Sequence, residues 1–554
     1  MLRTLGVFVA SAVVAVAQSN FPPPTAPANN PPTLEKELLG MALFFEEQVA
    51  TNNKVACATC HDFGGGGADP RAMHAFNPGV DAVPGTADDQ HGSPGTPLLW
   101  QSPTPGGAPI VVPTTEIGFA EQVTPRRSPT VINSGYHSVL GYDGRHTSLE
   151  SFIEDPPINT TEMGHAGRTW ADVEQKIAQS TPLILASELP QRLATFIAGK
   201  TYPDLFQTVF GTPDVTRLRV TQAIATYIRT LNSDQSRWDK HLAGQAALTP
   251  QESLGLQLFT SDANGATSCI TCHGDFDTDV TITGPSVGQT TTTQPGPYGS
   301  VFPTLLMFHN IGVRPPAEDP GLANQTGLTT DQGKFRVASL RNVALSSPLF
   351  HNGGAKSLRD AIEFYNRGGD FHQNQAALMF ARNYSATEVD ALVALLETLT
   401  DDRLVTGTYP FDRPKLGSQN GKLTTSLGPP STTAVGKLVA TAPYAPIVGD
   451  DNFQLTLDGA TLGAFTFLMW DTQVGRRDPT TNLQLSGGAS FSIFAAGPSQ
   501  WSLTVTGRGL QNLPLPIPAN PQLRGTVLLA QWASFEPSQT GPIAFSNGLR
   551  IQLN

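Results

Sequence analysis

The 554-residue chain has only four cysteines, and all of them fall in two short clusters, so no disulfide framework can be spread among its loops. Charge is sparse and leans to one sign. With 34 Lys and Arg against 46 Asp and Glu the net charge is −12, and nothing supplies the basic field that a phosphate backbone needs. Nucleic acid is thereby excluded as a partner. After the first residues no run is apolar and long enough to span a bilayer.

What is present begins with the N-terminus. Arg3 gives a short positive region, Leu5 to Ala17 an apolar core, and Ala15-Val16-Ala17 a small-residue cleavage site before Gln18. The expectation is a signal peptide over 1–17 and a protein that is periplasmic or otherwise exported, with no integral membrane segment after the signal is removed. Glycine and proline are plentiful, at 53 and 46, which predicts long loops around compact helical cores.

The four cysteines lie in Cys57-Ala58-Thr59-Cys60-His61 and Cys269-Ile270-Thr271-Cys272-His273. Both are C-x-x-C-H, the attachment signature of c-type haem. Two thiols at this spacing reach the two vinyl groups of one porphyrin, and the adjacent imidazole lies under the ring and binds the iron. A zinc ribbon would bring its two knuckles within about 15–20 residues, far closer than these. A thioredoxin-like pair would not explain a histidine after both copies. Two covalent haems are expected, held by Cys57, Cys60, Cys269 and Cys272, with His61 and His273 as iron ligands.

The motif belongs to a longer repeat. Leu39-Gly40-Met41-Ala42-Leu43-Phe44 precedes the first copy and Leu254-Gly255-Leu256-Gln257-Leu258-Phe259 the second, each ending a helix that starts near Thr33 or Thr249-Pro250. Val220, Ala223, Ile224, Tyr227, Ile228 and Leu231 form one helical stripe, and Ser385-Ala386-Thr387-Glu388 is a capping box opening a helix through Leu399. Beyond a proline- and glycine-rich linker the period changes to that of strands, at Phe453, Leu455 and Leu457, Phe491 and Ile493, and Trp501, Leu503 and Val505, with Asp458-Gly459 as a turn. The fold class is therefore mainly α, with two cytochrome c-like helical haem domains followed by a C-terminal all-β, sandwich-like domain. The divisions are 18–235 (with a long insert at 64–124), 236–405, a linker at 406–451, and a β-domain of unread role at 452–554. The aspartates of the loop Asp81 to Asp89 could hold calcium through hard oxygen ligands, though a solvated loop is the commoner use of such a pattern.

From about Pro32 to Asp402 the chain resembles the bacterial di-haem cytochrome c peroxidases and their relative MauG. The motifs carrying the resemblance come in family order: the Leu-Gly-x-x-Leu-Phe lead-in, Arg127-Ser128-Pro129-Thr130-Val131-Ile132-Asn133, Tyr142-Asp143-Gly144-Arg145 and Glu162-Met163, then Phe308-His309-Asn310-Ile311-Gly312-Val313, Ser339-Leu340-Arg341-Asn342, Phe350-His351-Asn352-Gly353 and Phe364-Tyr365-Asn366-Arg367-Gly368-Gly369. The resemblance implies that peroxide reacts at the N-terminal haem, with Glu162 as acid/base and Pro156 bordering the pocket. It implies that the second haem stores or relays electrons from a small cytochrome c or cupredoxin. Tyr365 matches the position of that haem's distal ligand in the MauG-like branch, with Met379 and Met307 as fallbacks. His309, His351 and Arg145 are expected as haem-pocket or propionate contacts.

Some positions depart from the pattern. Tyr142 stands where relatives carry an inter-haem tryptophan, and Phe152 where they carry a distal glutamine. Arg127 replaces an asparagine that helps hold calcium between the domains, so that calcium is not carried over. The resting-site histidine of some peroxidases has only His74 and His91 as candidates here. The reading is an exported di-haem peroxidase. A di-haem oxidase or oxygenase acting on a protein side chain or polymer, and a non-catalytic di-haem electron carrier, are the alternatives.

Overall fold

The computed structural model describes residues 21, 23–73, 76–77, 90–97, 99–100, 110–111, 121–260, 269–273 and 308–418, and after these only strands between 424 and 552. The signal region, the aspartate loop at 81–89, His74, Met307, Phe453 and Ile493 lie outside the described residues.

Two helical units are built on one plan. In the first, Thr33 caps helix Leu34–Phe44 by accepting from Lys36 N, and Thr216 caps helix Arg217–Ile228. In the second, Thr249 and Glu252 close a box around the start of helix Pro250–Thr260, and Ser385 with Glu388 does the same for Ala386–Glu397. Each pair of helices packs through a glycine of the repeated lead-in. A Cβ on Gly40 would lie 1.9 Å from Ala223 O, and one on Gly255 2.1 Å from Ala391 O, so the close crossing requires the missing side chain.

The correspondence continues along the chain. Asn133 and Asn342 both adopt left-handed backbone, at φ 60° and 59°, a conformation asparagine tolerates better than most residues. Asn133 N donates to Leu231 O and Asn342 N to Leu399 O, which ties each turn to the end of its unit's last long helix. A single bridge then joins Leu140 to His146, or Leu349 to Ala355. A serine-capped helix follows in each, Leu149–Ile153 after Ser148 and Leu358–Asn366 after Ser357.

Each unit has its own apolar core. The first gathers buried residues from Leu38 to Leu231, the whole predicted stripe of helix Arg217–Ile228 among them; the second runs from Trp238 to Leu399. The first core also takes in Leu404, Phe411 and Leu416. The stretch after 405, which composition marks as linker, thus returns to the first unit. Phe411 meets Phe63 edge-on at 5.8 Å, Arg192 spans Glu37 and Asp412, and Glu47 accepts from Gly417 N and Ser418 N. Proline and glycine signalled the lack of regular structure there but not what the segment packs against.

The described C-terminal segments are strands. Gln500–Val505, Phe465–Gln473, Val527–Phe535, Gly548–Gln552 and Thr424–Leu427 lie side by side in that order, antiparallel, with Ala544–Phe545 also on Val527–Phe535. Val439–Thr441, Gln454–Ala460 and Gly509–Pro514 form a second sheet. Strands Thr424–Leu427 and Val439–Thr441 come from the span read as linker; they are too short for alternation to reveal. Asp458 and Gly459 do not turn the chain. They lie within strand Gln454–Ala460, where the register shifts between Leu457 and Ala460 as in a β-bulge. No helix among the described residues is long and apolar enough to cross a membrane.

Candidate active site

Both attachment motifs fold into single helical turns. His61 N donates to Cys57 O and His273 N to Cys269 O, each at 3.0 Å, so two thiols and one imidazole share a turn. His61 Nδ1 lies 3.2 Å from Gly67 O, which suits the tautomer that leaves Nε2 for a metal. Burial lowers the pKa of His61, and it pushes His273 down to about 4, against the opposing pull of the Ala338 carbonyl. Both imidazoles are thereby neutral, the form in which they ligate. Burial also pushes the Cys57 thiol up to about 12, so it is no reactive thiolate.

A cavity of about 440 Å³ opens beside the first motif, and one of about 240 Å³ beside the second. Cys57, Cys60 and His61 line the first along with Phe152, Pro156 and Glu162. Cys269, Cys272 and His273 line the second along with Tyr365 and Met379. Tyr142 and Arg127 line both. Arg127 is 4 % exposed, and its Nε and Nη2 find no hydrogen-bond partner among the described residues. A buried guanidinium in that condition calls for an anion. Paired cysteines, neutral histidines, apolar walls and a cation facing the cavities all fit haem c with its propionates.

Glu162 is placed by the loop after helix Leu149–Ile153. Arg168 donates to Pro157 O, Met163 O and Val49 O, and Thr51 N to Met163 O, so the loop backbone is held from behind. Asn159 Nδ2 donates to Glu162 Oε1 at 3.3 Å. Burial pushes the carboxyl up to about 7, eased by Arg145 and reinforced by Asp155. A carboxyl with that value can both accept and return a proton near neutrality.

Phe152 offers no hydrogen bond. Its ring instead packs under the Arg145 guanidinium at 4.8 Å and against His146 at 5.0 Å. Arg145 lines the first cavity and pairs with Asp143 at 3.3 Å and Asp155 at 3.6 Å. His146 Nε2 lies 2.6 Å from Asp155 Oδ2. That dyad escaped the sequence reading, because nothing in the spacing announces that the turn at Leu140–His146 folds back on Asp155.

At the second cavity the structure brings Tyr365 and Met379 together, so both candidates face the site. Tyr365 lies in the last turn of helix Leu358–Asn366, and burial raises its pKa far above that of a free phenol, with Cys272 and Cys269 adding to the shift. His309 and His351 line the same cavity. His351 stacks on Phe335 at 3.6 Å, and burial holds it down at about 4. His91 falls in strand Gln90–His91, whose side chains are not described. Among the described residues no cluster of His, Cys, Asp and Glu could hold a free metal ion.

Residues 34–247 match the family model of the di-haem cytochrome c peroxidases. A cytochrome c551 peroxidase of Nitrosomonas europaea is 28% identical over 401 residues, 72% of this chain and 90% of that protein. The methylamine utilization protein MauG of Methylophilus methylotrophus is 26% identical over 381 residues, 68% of this chain and 85% of its own. The crystal structure of a MauG-like protein associated with microbial copper homeostasis shares the fold, with a TM-score of 0.51 and 24% identity over 72% of this chain and 98% of that one. With both attachment motifs and the lined cavities in place, residues 34–247 are similar to the di-haem cytochrome c peroxidases, oxidoreductases that carry two c-type haems.

Proposed function

We propose that this protein is an exported di-haem peroxidase of the MauG-like branch, reducing hydrogen peroxide with electrons from a small cytochrome c or cupredoxin. One observation carries the reading: a buried carboxyl with a pKa near neutrality, Glu162, lines the same cavity as Cys57, Cys60 and His61. Bound haem would supply an iron that takes peroxide and the electrons that reduce it. Glu162 accepts the proton of the entering oxygen and returns it to the departing one, so that two electrons and two solvent protons leave two waters. Phe152 and Pro156 keep that face apolar, and the loop behind Met163 holds the carboxyl in place. Arg127 would bind a propionate. His61 and His273 would be the proximal ligands.

Assignment to the MauG-like branch rests on Tyr365, which lines the second cavity and whose buried phenol would ionise only beside a cation. The C-terminal module is read as all-β and sandwich-like, supported by the antiparallel pairing of its described strands. Export is supported by Arg3, the apolar run to Ala17 and the Ala15-Val16-Ala17 site.

Stopped-flow mixing of the purified protein with peroxide, with and without reduced cytochrome c, tests the reading. A peroxide-dependent change at one high-spin haem, followed by oxidation of the cytochrome, is the expected result. Two low-spin haems inert to peroxide would make the protein an electron carrier. Pyridine haemochrome analysis should find two covalent haems, and Cys272→Ala should weaken only the second attachment.

A further inference from the structure

The insert between the first attachment motif and Arg127 has no part in the reaction above, yet its described residues touch both sides of the first cavity. Strand Pro94–Pro97 pairs with Glu121–Val123. At the strand's entrance Ser93, buried at 2 %, accepts from Ser128 N at 3.1 Å and donates to Ser128 Oγ at 3.3 Å. Ser128 Oγ in turn donates to Cys60 O at 2.5 Å. Arg71 adds a second tie, from Nη2 to Pro94 O at 3.0 Å. This end of the strand is thus fastened to the backbone that carries the covalent attachment.

The other end is fastened to the loop of Glu162. Thr96 is fully buried, and its N donates to Glu162 O at 3.0 Å. Its Oγ1 lies 3.2 Å from both Thr160 O and Gly164 O, so one hydroxyl proton is shared between two carbonyls that flank Glu162. Gln122 Nε2, on the pairing strand, donates to Thr160 O at 2.7 Å. Gly95 lies against the same loop, and a Cβ there would fall 1.8 Å from Thr161 O. Only glycine admits that approach.

We propose that strand Pro94–Pro97 is a positioning element for Glu162, tying its loop to the Cys60 backbone and so fixing the carboxyl relative to the attachment motif that would hold the haem. The proposal deepens the reading of Glu162 as acid/base and rests on it. Its functional weight follows from distance: a displacement of about 1 Å at a reacting group can cost on the order of 10²-fold in rate. Arg168 and Thr51 tie the loop to residues 49–51, and the strand ties it to the Cys60 backbone through Ser93 and Ser128.

The test uses holoenzyme variants Thr96→Val, which keeps shape and removes the donor, Gly95→Ala, and Thr96→Ser as the conservative rescue. Amide hydrogen exchange over residues 160–164 is read together with peroxide kinetics and haem content. Thr96→Val should quicken exchange there, lower kcat by about tenfold or more with little change in KM, and move the midpoint of the pH profile, while haem content holds; Thr96→Ser should restore all three. If Gly95→Ala does not fold, Thr96→Val carries the test. Exchange unchanged in Thr96→Val, or quickened with kcat and the pH profile unmoved, overturns the proposal. Failure of the acid/base reading itself would look different: Glu162→Gln would turn over normally, with exchange at 160–164 at its wild-type rate.

Discussion

Tyr142 and His351 hold equivalent places in the two helical units and meet where the cavities adjoin, their ring centroids 6.2 Å apart. The backbone around them is reciprocal: Arg336 N donates to Tyr142 O and Arg127 N to His351 O, both at 2.8 Å. Repetition has therefore placed two different rings across one local two-fold. The phenol can give up an electron together with its proton, whereas the imidazole is held neutral by burial. Tyr142→Phe keeps the ring and removes the ionisable hydroxyl. Electron transfer between the haems after peroxide should slow and lose its solvent isotope effect, as followed by stopped-flow absorbance in ordinary and heavy water. A rate and isotope effect equal to wild type would show that the electron bypasses Tyr142.

Glu162→Gln keeps size and hydrogen bonding and removes the proton-accepting carboxylate. Peroxide turnover should fall by about 10²–10⁴, the usual worth of a positioned acid/base. Haem content and the ferric spectrum should barely move, which separates loss of chemistry from loss of structure.

The raised value at Glu162 also fixes two pH dependences. Peroxide must lose a proton to the ionised form, so kcat/KM should fall as pH drops through about 7. Stability runs the other way. The folded protein holds this proton more tightly than the unfolded chain, whose ordinary value is 4.5. The contribution is full below 4.5 and is lost as pH rises through about 7. Glu162→Gln should therefore gain stability over wild type between pH 5 and pH 8 (by a few kcal/mol at most, at about 1.36 kcal/mol per pKa unit). Denaturant titration of both proteins at those two pH values checks the sign.

If Tyr365 ligates the second haem as proposed, Tyr365→Phe should leave packing nearly intact and remove that bond, moving the second haem toward high spin or recruiting water. Tyr365→Met should raise its reduction potential, because a neutral thioether favours ferrous iron relative to an anionic oxygen. A near-infrared charge-transfer band of a Met–His ferric haem in wild type would eliminate tyrosine and point to Met379, which lines the same cavity.

Gly40→Ala and Gly255→Ala test the shared plan of the two units. Each new methyl meets a backbone carbonyl that can yield only by parting the two helices. Each variant should lose about 1–3 kcal/mol, typical of an overfilled core, read as a lower Tm of the holoprotein. Both should show the loss if the crossings are equivalent.

Much of this was legible in the chain because its signals are local. Thr33, Thr249 and Ser385 announce helix starts through bonds made within one turn, and the observed caps fall on those residues. The two C-x-x-C-H runs announce their chemistry for the same reason, and Gly40 and Gly255 repeat because two helix crossings need the same missing methyl. The strand period is visible in the tail, but Asp458-Gly459 carries a turn signal where the chain stays extended through a register shift. That outcome depends on pairing with Gly509–Pro514, fifty residues away.

What the sequence determined by itself was the inventory: two haem-attachment motifs, two related helical units, a carboxyl at 162 and an order of motifs similar to that of the di-haem peroxidases. These rest on covalent spacing and short-range hydrogen bonds, which need no knowledge of the rest of the fold. Only the tertiary structure decided who meets whom. It buried Glu162 enough to bring its pKa to about 7, set Tyr142 and Arg127 along both cavities, and paired His146 with Asp155. It also brought Phe411 back onto Phe63 and laid Thr96 across the Glu162 loop. Each of these comes from desolvation or contact between segments far apart in the chain, and the free energy that fixes them exists only once both have packed.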